Sequence, residues 1–140
     1  MQFDFEFLFS FANIAILPVW LLLIFLPRHE ITLWLTGNYV IQMILALMYA
    51  FLIFGYIGEG EGGFSSLHEI RKGFQSDAIL LAGWIHYIIF DSFVGTWMVR
   101  DAEKNSIPHI RIVVPLVFTL LLGPLGLLLY LAYKRIAGIQ

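Results

Sequence analysis

Charged residues are spaced along the chain so that four long hydrophobic stretches lie between them. A bilayer core about 30 Å thick is crossed by about 20 apolar residues at the rise of an α-helix, and each stretch reaches that length. The second is longer than one crossing needs, so its helix is expected to start near Asn38, after a Thr36-Gly37-Asn38 turn. The pattern therefore predicts four transmembrane helices, near residues 7–27, 38–57, 77–100 and 110–134.

The sequence predicts that these stretches are helices and not strands. Backbone groups in hydrocarbon must be paired within the structure, which leaves helices or closed barrels. Barrel strands alternate polar and apolar residues, and the leucine runs 120–122 and 127–129 do not alternate. The predicted fold is an all-α membrane protein, a single four-helix transmembrane domain over residues 1–140.

The connecting segments carry signals of their own. Ser66 and Glu69 fit a capping box, and apolar residues then recur at helical spacing, which predicts a short interfacial helix over 65–74. Asn105 and Pro108 break the chain before the fourth stretch. Within that stretch, Gly123-Pro124 predicts a kink.

Composition agrees with a membrane class. Hydrophobic residues make up 60% of the chain and charged residues 13%, too few to cover a small soluble domain. A net charge of -2 without a basic cluster argues against a nucleic-acid partner, and the absence of cysteine excludes disulfides and thiolate metal sites. The acidic residues Asp4 and Glu6 are the wrong sign for a signal peptide, so the first span is expected to belong to the mature protein.

The distribution of basic residues does not determine the membrane orientation of four transmembrane helices. One side would hold Arg71, Lys72, Lys134 and Arg135, and the other would hold Arg28, Arg100, Lys104 and Arg111. The positive-inside rule therefore ties at four against four. The acidic N-terminus favours both termini outside the cytoplasm.

Asp91 is the most informative residue for function because it lies in the middle of a hydrophobic stretch. An ionised carboxylate at that depth costs about 2.5–3.5 kcal/mol on insertion scales, so it should be protonated, paired or in a polar cavity. It would act as a proton donor, proton acceptor or ligand contact. The alternative is a structural hydrogen bond between helices.

His86 lies on the same predicted helix, about 140° from Asp91 around the axis. We expect both side chains to face the bundle interior, with His86 as a base, a hydrogen-bond partner or a structural histidine. No His/Glu spacing matches a metal motif, so neither a metal nor another cofactor is expected.

Four further residues are candidates for ligand binding: Asn13, Trp84, Tyr87 and Arg100. Asn13 is expected near Asp91 or His86, as interhelical glue or as a ligand contact. Trp84 and Tyr87 flank His86 and could wall a pocket for a flat polyene, although packing explains each of them singly. Arg100 ends its span, where an interfacial anchor is the favoured reading.

The third predicted helix also carries an extended motif. Ala82-Gly83-Trp84-Ile85-His86-Tyr87, Phe90 to Trp97 and Arg100-Asp101-Ala102 are followed by Ile107-Pro108 and by Gly123 to Leu128. This block resembles the core of the abscisic-acid-deficient-4-like family, the plant neoxanthin synthase group with its bacterial relatives. Since no transit peptide is visible, the chain resembles the bacterial branch, and we expect a bacterial inner-membrane protein.

The resemblance implies a role in xanthophyll metabolism. Its plant members are tied to an epoxide opening that forms an allene without net redox change, which needs an acid at the epoxide oxygen and a base at a carbon. His86 and Asp91 would be the acid/base pair of a carotenoid or isoprenoid-lipid isomerase. The alternative is a non-catalytic accessory or pigment-binding subunit, with the protein subunits of a larger membrane complex as partners besides the bilayer.

Overall fold

The computed structural model describes residues 4–56, 58 and 62–139, and every regular element in this part of the chain is a helix. The helices are α1 (Phe5–Phe25), α2 (Glu30–Gly37), α3 (Val40–Tyr56), α4 (Leu67–Gly73), α5 (Asp77–Lys104), α6 (Ile110–Leu122) and α7 (Pro124–Ile136). α5 is central and packs against α1, α3 and α6. Three segments are long and apolar enough to cross a membrane: α1, α2 together with α3, and α5.

Most boundaries follow the sequence prediction. α1, α3 and α5 match the first three predicted spans, and α4 lies within the predicted interfacial helix. The Ser66 hydroxyl accepts a hydrogen bond from the Glu69 amide at 3.2 Å, as the capping box predicts. The segment before the expected turn, however, is itself helical. His29 Nδ1 caps α2 by accepting from the Ile31 amide at 3.2 Å, and the turn follows at Tyr39, which has a positive φ of 51°.

The predicted single helix over 110–134 is wrong. Near the start of α6, Arg111 donates to the hydroxyl of Tyr133, near the end of α7, at 2.9 Å. In one straight helix these residues would lie about 33 Å apart at 1.5 Å per residue. α6 and α7 are therefore the two antiparallel arms of a helical hairpin.

Glycine and proline build the reversal. Gly123 adopts φ 44° and ψ -96°, a backbone conformation that favours glycine, and Pro124 opens α7, where its missing amide hydrogen costs nothing. Gly126 then lets the arms touch, because a Cβ there would collide with the Pro115 carbonyl and with Thr119. A Gly-Pro pair in an apolar stretch serves a kink or a reversal equally well, which is why the sequence did not distinguish them.

The hairpin reaches only to the middle of α5. Each arm has 13 residues, about 20 Å of helix, against about 30 Å for a bilayer core. The tip at Gly123 lies against Asp91, midway along α5. The open end lies at the C-terminal end of α5, where Lys134 and Tyr130 both donate to Asp101, at 2.8 and 2.6 Å.

Candidate functional site

A single stripe of side chains on α5 organises the candidate site. Its members recur at alternating spacings of four and three residues, so they share one face of the helix: Leu80, Trp84, Tyr87, Asp91, Val94, Met98 and Asp101. From Asp91 onward the hairpin covers this stripe, through Gly123 at Asp91, Thr119 at Met98 and Tyr130 at Asp101. The part before Asp91 lies beyond the tip of the hairpin.

Asp91 is 9% exposed and lies directly against the hairpin tip. A Cβ added to Gly123 would be 2.6 Å from Asp91 Oδ1, so only glycine fits opposite the carboxyl group. Its Oδ2 atom is buried and accepts no well-aligned hydrogen bond within the described part of the chain, although the Tyr87 hydroxyl lies close enough to the carboxyl group to interact with it. The predicted inward orientation of Asp91 is therefore confirmed, and its carboxyl group retains unused hydrogen-bonding capacity at mid-depth.

Two helix ends surround this carboxyl group. α6 ends and α7 begins at Gly123, so free carbonyls and the partial positive charge of a helix N-terminus lie near Asp91. The Tyr87 hydroxyl, one turn before Asp91 and within electrostatic reach of it, donates to the Leu121 carbonyl at 3.4 Å. The Tyr87 hydroxyl, the Asp91 carboxyl group and the N-terminus of α7 thus lie close together, midway along α5.

The predicted orientation of His86 is wrong. Its side chain is exposed, and its ring packs against Tyr49 of α3 at 5.9 Å and against Phe90 at 4.6 Å between centroids. Asp91 lies on the face covered by the hairpin instead. The angle of about 140° between the two positions explains the separation, because a helix packed on one side by a hairpin and on another by α3 cannot direct both side chains into one cavity. The role of His86 in chemistry stays a prediction.

Asn13 and Trp84 connect α1 to α5. The Trp84 indole donates to Asn13 Oδ1 at 3.1 Å, while Asn13 Nδ2 donates to the Phe9 carbonyl at 2.8 Å. These hydrogen bonds join Asn13 to Trp84 and to its own helix, so the prediction that Asn13 pairs with Asp91 or His86 is not confirmed. Trp84 and Tyr87 lie with their rings 5.5 Å apart, forming an aromatic wall that leads toward Asp91.

Arg100 is engaged at the other end of α5. Its guanidinium donates to the Tyr39 hydroxyl at 2.9 Å and to the Thr36 carbonyl at 3.0 Å. It also lies 5.3 Å from the centroid of the Tyr39 ring. These contacts tie α5 to α2 and to the turn before α3, and they favour the anchor interpretation over ligand binding.

Sequence reasoning missed two parts of this arrangement. Gly123 was read as a kink and not as the residue that faces Asp91. The hydrogen bonds of Asp101 with Tyr130 and Lys134 are not expected from the sequence, because a full fourth crossing would put Asp101 and Lys134 at opposite ends of the bundle.

Comparisons with known proteins agree on one family. The sequence model of the ABA DEFICIENT 4-like family matches residues 7–130. The chain is 28% identical to Protein ABA DEFICIENT 4, chloroplastic, from Arabidopsis thaliana, over 94% of its own length. It spans 62% of the length of that relative.

No solved structure matches the chain. The family match includes α1, α3, α5 and α6, the stripe on α5 and most of α7, so it takes in Asp91, the hairpin tip that covers it and the aromatic wall beside it. On this evidence the chain belongs to the ABA DEFICIENT 4-like family.

Proposed function

We propose that the protein is a carotenoid or related isoprenoid-lipid isomerase in which Asp91 transfers a proton at the hairpin tip. The observation that carries the proposal is the buried carboxyl group of Asp91, whose Oδ2 atom accepts no well-aligned hydrogen bond among the described residues and which lies within interaction distance of the Tyr87 hydroxyl. A purely structural carboxyl would be expected to use both oxygens, because an unsatisfied buried polar atom costs about 1–3 kcal/mol. Intramembrane carboxylates are functional sites by default.

The chemistry that the family resemblance implies is balanced without a cofactor. A base removes a proton from a carbon, the electron pair forms a new cumulated double bond, and the epoxide C–O bond breaks. An acid protonates the released oxygen, so the product is an isomer of the substrate. Asp91 would accept the carbon proton and Tyr87 would protonate the oxygen, after which a proton returns from Asp91 to Tyr87.

The proposed membrane arrangement is three crossings plus a re-entrant hairpin. The three long apolar segments support the crossings, and the short arms of α6 and α7 support the half-span. Irregular backbone such as Gly123 is tolerated at membrane depth only where protein or a water-filled cavity surrounds it, which suits a functional site. The bacterial inner membrane stays a prediction, since the matched relative is a chloroplast protein by its name.

One observation favours the alternative of an accessory or pigment-binding subunit. His86 lies on the exposed side of α5 between Tyr49 and Phe90, where it can contact a pigment or a neighbouring subunit. In that case Asp91 would be needed for folding and not for turnover.

The deciding experiment is conversion of an epoxy-carotenoid in membranes that contain each variant at matched protein levels. Asp91→Asn should lower turnover by about 10²–10⁴-fold while pigment binding persists, because asparagine keeps the volume but cannot exchange a proton. His86→Gln, on the other face of α5, should have a mild effect, whereas a loss of turnover comparable to that of Asp91→Asn would support the predicted acid/base role of His86. Normal turnover by well-expressed Asp91→Asn would remove Asp91 from the chemistry and favour the accessory subunit.

A further inference from the structure

The half of the α5 stripe that the hairpin leaves uncovered borders a groove. Leu80 is 50% exposed and Trp84 39%, whereas Met98 in the covered half is fully buried. A groove of about 490 Å³ lies between α1 and this part of α5, and a second of about 260 Å³ adjoins it at Leu80 and Trp84 and reaches Tyr87. Together they extend from the N-terminal ends of α1 and α5 toward the level of Asp91.

The charged side chains that line this groove among the described residues are all acidic. Asp4, Glu6 and Asp77 line its mouth, and Lys or Arg lines neither cavity within the described residues. An anionic head group would be repelled at the mouth and again at Asp91, because like charges are poorly screened away from water. A lipid with an uncharged polar end would instead meet Tyr87, which lines the inner end of the groove one turn before Asp91.

The hairpin also determines which leaflet the groove opens to. Because α7 turns back, Lys134 joins Asp101 at the C-terminal end of α5. Six basic residues then share that side of the membrane: Arg28, Arg100, Lys104, Arg111, Lys134 and Arg135. Only Arg71 and Lys72 lie on the side of α4, so a tie of four to four becomes six to two, and the positive-inside rule places the open end of the hairpin in the cytoplasm.

We propose that this groove is the entry path for an uncharged isoprenoid lipid, which reaches Asp91 sideways from the non-cytoplasmic leaflet. From Asp77 to Tyr87 the groove runs along about 15 Å of helix, enough for an extended apolar segment whose polar end lies at Tyr87, one turn before Asp91. The class of lipid rests on the proposed function, whereas the leaflet rests on the hairpin and the charges.

Ligand selection is tested with two probes that share one polyene chain and differ in the polar end, the uncharged alcohol retinol and the carboxylate retinoate, added to the full chain in phosphatidylcholine nanodiscs at pH 8. Retinol should bind saturably and retinoate at least about tenfold more weakly. Asp77→Asn should reduce the ratio of retinol affinity to retinoate affinity. Glu103→Gln, which removes a carboxylate at the opposite end of α5, should leave this ratio unchanged. Equal binding of both probes, or an affinity ratio that Asp77→Asn leaves unchanged, would contradict the proposal that this groove admits an uncharged lipid. The isomerase proposal would survive that result if Asp91→Asn still abolished conversion.

The leaflet is tested by labelling single cysteines in intact cells with a membrane-impermeant maleimide, since the natural chain has no cysteine. Phe64→Cys, on the side of α4, should be labelled from outside the cell. Ile136→Cys, at the end of α7, should be labelled only after permeabilisation. Labelling of both from one side would show that the hairpin is a full crossing, and labelling of Ile136→Cys alone would show the opposite orientation. Either result contradicts the proposed leaflet.

Discussion

The contact between Gly123 and Asp91 gives the sharpest prediction about the fold. In Gly123→Ala, the new Cβ would lie 2.6 Å from Oδ1 and 3.0 Å from Oδ2 of Asp91, at a backbone φ of 44°. The unusual backbone costs about 1–3 kcal/mol in a non-glycine residue. Forcing a methyl group into a packed contact costs about 1–3 kcal/mol more. The variant should therefore lose about 2–6 kcal/mol, a large part of the 5–15 kcal/mol typical of a whole protein.

Reversible denaturation of the purified protein in mixed micelles measures this loss. Gly138→Ala is a control for the backbone alone, because Gly138 has φ 69° and a Cβ there would meet nothing within 4 Å. A double-mutant cycle isolates the contact itself. In an Asp91→Ala background, which removes the carboxyl group, the cost of Gly123→Ala should fall by about 1–3 kcal/mol. Equal costs in both backgrounds would refute the packing of the hairpin tip on Asp91.

Three further predictions concern contacts elsewhere in the bundle. Lys134→Met leaves Asp101 without its ion-pair partner and should destabilise the protein by about 1.5–3 kcal/mol by the same denaturation assay; an unchanged stability would argue against the hairpin. Trp84→Phe removes the hydrogen bond to Asn13 and should cost about 0.5–1.5 kcal/mol, a loss that should vanish in an Asn13→Ala background. Gln42→Leu should raise the melting temperature, because neither amide atom of this buried side chain has a partner in the described part of the protein; a lowered temperature would indicate an important polar role.

The sequence predicted the crossings because they depend on local properties. The hydrophobic lengths of α1, α3 and α5 and the capping box of α4 can all be read from neighbouring residues. The direction of α7 cannot, because residues 112–133 have the same composition whether the chain crosses or doubles back. What decides the direction is close packing between distant residues, Gly126 on Pro115 and Gly123 on Asp91.

The side chains of the candidate site likewise differ in whether their orientation can be predicted from the local sequence. Asp91 was predicted to face protein because the cost of a carboxyl in lipid does not depend on the rest of the fold. His86 carries a smaller cost, since a neutral imidazole can pack between aromatic rings, and here Tyr49 and Phe90 provide them. The cost of exposing the imidazole is therefore too small to determine which way His86 points. The angle between His86 and Asp91 around α5 already indicates that the two side chains face different neighbours.

A half-length hairpin explains how a carboxyl group can be buried while the aromatic wall next to it stays exposed. A fourth helix that crossed fully along this face of α5 would cover Leu80, Trp84 and Tyr87 as completely as Met98, and Asp91 would be sealed within the bundle. A bundle without the hairpin would leave Asp91 in lipid, where an ionised carboxylate is too costly. Because the chain turns at Gly123, the hairpin covers α5 from Asp91 to its C-terminal end and leaves the N-terminal half of this face open. The residue that makes the turn therefore controls both the protection of the carboxyl group and the path by which a substrate would reach it.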